Sequence, residues 1–273
     1  RWVSAAEVRP GNRAVVHHVI AYLREPGSKW LEGAPVGQPV PKRIPGQKTN
    51  DSGQRDSLGG FAPGVPQLPA VPGRARLVKA GTDLVLEMHY TTNGKPATDL
   101  TKVGVIFAKE APIERIGGFA AANSKLVIPA GADNHLVTSK YEVPNDMLLT
   151  QLTPHMHLRG KDFEYVAKYP SGESEVLLKV PHYDFNWQHT YVLAQPKLLP
   201  AGTVVECSAH YDNSPNNRFN PDSKAEVRWG DQSWDEMMIG FAEIIHDPAK
   251  SPSEVFKKKV VQTVPKESAA ARD

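Results

Sequence analysis

The chain has one cysteine, Cys207, so it can form no internal disulfide and no cysteine-rich zinc or iron–sulfur site. Any metal must therefore rest on His, Met, Asp or Glu. Charge of one sign is not in excess: 32 Lys and Arg against 30 Asp and Glu leave a net +2, which gives no reason to expect nucleic acid as a partner. No apolar run approaches the roughly 18 residues that span a bilayer, so no membrane span is expected. No segment carries the long 3.6-residue apolar period of a helix. The chain opens at Arg1 without a signal-like apolar segment, and we expect a mature or excised piece of a longer precursor.

Strand signals fill the space left by these absences. "NRAVVHHVIAYL" (12–23), "TDLVLEMHYTT" (82–92), "KVGVIFA" (102–108), "DMLLTQLTPHMHL" (146–158), "DFEYVAKYP" (162–170), "SEVLLKVP" (174–181) and "GTVVECSAHYDN" (202–213) are short, rich in β-branched and aromatic residues, and bounded by turn formers. The expectation is an all-β chain of two tandem β-sandwich domains, with helical turns only at "WDEMMIG" and "PSEVFKKKVV". Two stretches lack strand character: the Gly- and Pro-dense run from about 31 to 75, read as an insertion over the first domain, and "KEAPIERIGGFAAANSK" (109–125). The boundary is placed near Gly118, giving domains 1–117 and 118–250 and a charged tail 251–273.

The ten histidines are the chemically informative residues. His17 and His18 are adjacent, and on a regular strand they face opposite ways, so one ion can bind both only at a twisted strand end or a bulge. The plain alternative is one buried and one exposed ring. His89, in "LEMHYTTNG", ends a strand just before turn formers, where sites tend to be assembled. His155 and His157, in "TPHMHLRGK", are two apart on an extended segment, so their imidazoles share a face and can meet one ion. A third ligand would decide the metal, a carboxylate pointing to zinc or iron and a thioether to Cu(I). Met237 and Met238, in "SWDEMMIGF", read equally well as core residues.

Taken in chain order, "VVHHVI", "LEMHYTTNG", "TPHMHLRGK" and "SWDEMMIGF" resemble the ligand motifs of the copper type II, ascorbate-dependent monooxygenases, the family of peptidylglycine α-hydroxylating monooxygenase and dopamine β-monooxygenase. The resemblance runs from about Val15 to Phe241, and phrases such as "RPGN", "FAPG" and "HYDNSPNN" look closer to bacterial members. It implies paired jelly-roll-like sandwiches with a copper site on each side of an interdomain cleft, and an extracytoplasmic location. It implies two copper ions per chain: an electron-transfer copper on His17, His18 and His89, and an oxygen-binding copper on His155, His157 and Met237. Met237 is preferred over Met238 because it directly follows Asp235-Glu236. The implied reaction is hydroxylation of a C–H bond in a small organic substrate, with dioxygen and a one-electron donor such as ascorbate. His210, in "SAHYDNS", is a candidate outer partner of the oxygen site.

The pattern also departs from the family. The peptidylglycine enzyme holds its substrate carboxylate with an Arg, an Asn and a Tyr at positions that here are Thr153, Ile239 and Phe241. A carboxylate set against Ile and Phe would go unpaired at a cost of several kcal/mol, so a peptidylglycine substrate is not expected. Two readings compete with hydroxylation: a copper-binding or electron-transfer module working with other redox domains of a longer chain, and a zinc hydrolase, against which Met237 argues.

Overall fold

Along Val204–Tyr211 every second residue is buried, and the inward series Val205, Cys207, Ala209 and Tyr211 shows the period-two logic that organises the whole chain. The computed structural model describes residues 1–35, 37–38, 56–64 and 69–257. In chain order its strands are β1 (Trp2–Arg9), β2 (Val16–Arg24), β3 (Ser57–Phe61), β4 (Arg74–Leu77), β5 (Asp83–Tyr90), β6 (Lys102–Phe107), β7 (Glu114–Ala122) and β8 (Val127–Ile128). They continue as β9 (His135–Glu142), β10 (Met147–His155), β11 (Gly160–Lys168), β12 (Ser174–Val180), β13 (Tyr191–Leu199), β14 (Val204–Tyr211), β15 (Val227–Arg228) and β16 (Ile239–His246). One short helix, α1 (Pro252–Phe256), follows. The fold is all-β, as the patterning predicts. Among the described residues no helix is long and apolar enough to cross a membrane.

The larger core lies between two sheets in the C-terminal part. One is the four-stranded sheet β12-β11-β14-β9; the other is formed by β13, β10, β16 and β7. Phe163, Tyr165 and Cys207 from the first pack with Leu149, Leu152, Phe119 and Ile244 from the second. Burying each large apolar side chain contributes about 1.5–3 kcal/mol, so this layer dominates the stability of the chain. A register shift between Leu149 and Gln151, against both neighbours of β10, resets the alternation of that strand. Leu152 and Met156 then point into the core, while Gln151, Thr153 and His155 turn to the opposite face.

A smaller core, with Val8, Val16, Val19 and Ala21 at its centre, lies between the sheet β3-β2-β5 and the strands β1 and β6. The two sandwiches are not divided where the sequence suggested. Strands β1, β4 and β6 join β7, β16, β10 and β13 in one seven-stranded sheet, through a parallel β4–β7 pairing of Arg74 with Glu114 and Ala75 with Arg115. The segment 109–125, read as lacking strand character, contains β7, which crosses the expected boundary at Gly118. Its glycines serve packing: a Cβ on Gly118 would sit 2.8 Å from the Ala242 carbonyl oxygen. Within 31–75, the described residues include β3 and β4, and most of the remainder lies outside the described residues. At "WDEMMIG" the chain makes a turn and an isolated bridge from Trp229 to Glu236. The expected "PSEVFKKKVV" helix is present as α1, and its last residues lie outside the described part.

Candidate metal centre

The bulge that His17 and His18 require is present. Strand β2 pairs with β5 in a register that shifts between Val16 and His18, so His17 is the extra residue. The local twist brings the two rings to the same side, with their Nδ1 atoms 2.9 Å apart. His18 is the direct cross-strand partner of His89, and their rings stack with centroids 3.7 Å apart. His89 directs Nε2 to the Glu87 carboxylate at 2.9 Å, the arrangement in which a carboxylate fixes one ring nitrogen and leaves the other for a metal. Nε2 of His17 is buried without a hydrogen-bond partner among the described residues. Burial, with the neighbouring His89 second, holds His17 and His18 below the usual imidazole range and therefore neutral.

His155 ends β10 and His157 follows it, with ring centroids 5.3 Å apart and planes nearly perpendicular. Both rings are tethered through Nδ1. His155 meets the side-chain oxygen of the buried Gln188 at 2.7 Å, and His157 meets the backbone carbonyl of Asp235 at 3.3 Å. An oxygen acceptor at Nδ1 fixes the tautomer with its lone pair on Nε2, which is how a ring is presented to a metal. Burial pushes His155 down to about 4 and His157 down to about 3, so both are neutral imidazoles, each with a single N–H, at neutral pH.

Met237 lies just before β16, whose Ile239 pairs with His155. Continuing that register by two residues puts Met237 opposite His157. Met238 belongs to the C-terminal core, whereas Met237, also buried, is not among the side chains of that cluster. The bend carrying Met237 is held by Glu236, whose buried carboxylate accepts the backbone N–H groups of His157 (2.8 Å), Arg159 (2.7 Å) and Met237 (3.2 Å). Burial pushes this carboxyl up to about 8, against the pull of those N–H groups and the nearby Arg159 guanidinium. Arg159 donates in turn to Asn213 and to the Trp234 carbonyl, tying the 228–236 segment to the end of β10.

The two histidine groups, 66 residues apart at their nearest in the chain (His89 to His155), meet in space. The rings of His18 and His155 have centroids 6.2 Å apart. Phe185, in the loop between β12 and β13, stacks on His17 at 4.5 Å and turns its face or edge to His157 at 6.0 Å. The same loop supplies Gln188, Thr190, whose hydroxyl lies 2.9 Å from that of Thr153, and Tyr183, which bonds the Met156 backbone. Sequence reading missed Gln188, Glu236 and Phe185. An isolated Gln or Phe in a loop has no spacing to mark it, although Glu236 was visible beside Met237. His210 is placed elsewhere: its Nδ1 meets Asp162 at 2.8 Å across the β11–β14 pair, and among the described residues no hydrogen bond ties it to the other candidate histidines.

The donor types suit copper: neutral imidazoles at His17, His18, His155 and His157, the last two held through Nδ1, an orphaned buried nitrogen on His17, and the thioether of Met237 just before β16. Among the described residues no three His, Cys, Asp or Glu side chains converge as they stand on one ion position. A cavity of about 490 Å³ opens between β1, β4, β10 and β13, with Gln151, Thr190 and Glu243 in its wall and neither the five histidines nor Met237 among its lining residues. Its two arginines are paired, Arg74 with Glu114 and Arg76 with Asp56 and Glu243.

No protein-family model matches the chain. No curated protein matches it either. Among solved structures it is similar to that of infectious bursal disease virus Gx strain, at 8% identity and a TM-score of 0.22 over 93% of this chain. It is also similar to the infectious bursal disease virus VP2 subviral particle, at 9% identity and a TM-score of 0.26 over 92% of this chain. The chain spans 60% and 57% of the lengths of those two proteins.

Proposed function

We propose that the chain is a copper-dependent monooxygenase that hydroxylates a C–H bond of a small organic substrate, using dioxygen and a one-electron donor such as ascorbate. The observation that supports this reading is the meeting of His17, His18 and His89 with His155 and His157, the rings of His89, His155 and His157 each held at one nitrogen by an oxygen acceptor. Copper, when bound, would supply one-electron redox chemistry and dioxygen activation, the softer thioether-containing set favouring Cu(I).

The chain's own residues do the rest. Gln188 and the Asp235 carbonyl hold the His155 and His157 rings, and Glu236 fixes the bend that presents Met237. Ile239 and Phe241 lie beside His155 on this side of the centre and offer a carboxylate no partner, so the reading favours an uncharged substrate.

Metal analysis and oxygen uptake test the proposal together. The expected result is two coppers per chain, loss of one in Met237→Ile or His155→Ala, and ascorbate-supported oxygen uptake that depends on an added neutral substrate. Met238→Ala should keep both coppers and instead lose about 2–5 kcal/mol of stability, as a truncated core side chain. Two coppers without substrate-dependent uptake would leave the electron-transfer module as the function. Zinc in preference to copper would overturn both.

A further inference from the structure

We propose that the cavity of about 490 Å³ is a second binding site, one that takes a small organic carboxylate on the terminal amino groups of Arg74. The site lies apart from the histidines and does not rest on the copper reading. It runs along the seven-stranded sheet, from β1 and β4 to β10 and β13, with residues of β3 also in its wall. Its volume falls within the roughly 300–1,000 Å³ of small-molecule pockets. Part of the wall is bare: nothing lies within 4 Å of the position a Cβ would take on Gly59.

Among the described residues the charged side chains of the wall are Arg74, Arg76 and Glu243. Two of them are already engaged. Glu243 accepts from Gln151 Nε2 at 2.9 Å and from the Thr150 hydroxyl at 3.2 Å, while Arg76 is held between Asp56 and Glu243. Arg74 differs. It gives only Nε to Glu114, at 2.6 Å, and among the described residues its two terminal amino groups have no hydrogen-bond partner, although the side chain is only 20% exposed. A guanidinium desolvated to that degree gains from any acceptor that completes its hydrogen bonds. With Nε occupied, its remaining N–H groups form a planar fork, and a carboxylate matches that fork with two oxygens and the opposite charge. A neutral amide offers one oxygen and no charge. The rest of the wall, including Val3, Leu58, Val71, Val192 and Leu193, calls for an apolar body behind the carboxylate.

Isothermal titration of the whole chain with benzoate, and with benzamide as its uncharged analogue, tests the site. Benzoate is expected to bind, and benzamide to bind at least about tenfold more weakly, the difference made by charge-assisted hydrogen bonds. Arg74→Gln should weaken benzoate by a similar factor. Because Arg74 also pairs with Glu114, Arg74→Lys, which keeps a positive charge but loses the fork, serves where the glutamine variant does not fold, and is expected to weaken benzoate as well. Val192→Trp, at a half-exposed position of the wall, should fill the cavity and abolish benzoate binding with the unfolding midpoint unchanged. Added EDTA should leave the titration as it is, since no candidate metal ligand lines the cavity. Equal affinity for benzoate and benzamide overturns the carboxylate class. Benzoate binding that persists in both Arg74→Lys and Val192→Trp, or that EDTA removes, overturns the cavity as the site, and a chain that does not bind benzoate overturns the proposal. Copper content, measured separately, leaves each of these outcomes standing by itself.

Discussion

At the scale of single residues, the centre is built from groups whose roles differ more than their names suggest. His155 needs an acceptor at Nδ1 to present Nε2, and Gln188 provides it from a buried position. Gln188→Ala is expected to weaken copper binding at the His155 set by roughly 10–100-fold. Gln188→Glu, which keeps an acceptor oxygen, should retain most of the affinity. Competition with a calibrated chelator reads both. The histidines were singled out through the family resemblance, because strand geometry alone left the H-x-H pair open and allowed His17 and His18 to share an ion only at a twisted strand end or a bulge. Gln188 and Phe185 were not, because what makes them part of the centre is a loop conformation, and no local pattern in "HYDFNWQHT" encodes which histidine each will touch.

Among the elements, β2, β5, β6, β10, β11, β12 and β14 were read from their β-branched and aromatic runs, whereas β1, β7, β9, β13 and β16, as long as these, were missed together with the short β3, β4, β8 and β15. β13 contains Pro196, which argues against a central strand, and it indeed lies at the edge of the seven-stranded sheet. β7 was taken for a linker because of Gly117 and Gly118, whereas close packing against β16 is what requires a glycine there. The bulge at Thr150 left no mark in the sequence either, yet it decides which face His155 occupies. Gly240 shows the same dependence on packing. A Cβ there would lie 2.5 Å from the Cys207 sulfur and 2.8 Å from a ring carbon of Tyr165, both fully buried. Gly240→Ala should therefore destabilise the chain by about 1–3 kcal/mol through overpacking, seen as a lower midpoint in denaturant unfolding. The β10–β16 pairing would be disturbed in the same variant, so copper binding at His155 should weaken as well.

For the whole molecule, the two-sandwich expectation holds for the layers and fails for their independence. A cut after residue 117 falls inside β7 and removes β16, its antiparallel neighbour, so the N-terminal piece keeps only the first residues of a strand that β4 needs as its partner. Residues 1–117 alone are expected to give a poorly dispersed NMR spectrum and no copper site, whereas a piece ending beyond β7 but lacking β16 should fare little better. A well-folded 1–117 fragment that binds one copper would show that the boundary near Gly118 was the correct one.

The parallel β4–β7 pairing is short, two residue pairs reinforced by the Arg74–Glu114 ion pair and by Arg76 reaching Glu243 at 3.6 Å. It behaves as a rivet. Separating the two histidine groups means breaking backbone hydrogen bonds and exposing charged partners, in contrast to the swing of a free linker between independent bodies. The separation of the two histidine groups is thereby written into the hydrogen-bond ladder of the sheet, and weakening that rivet, far from any histidine, is a way to change it.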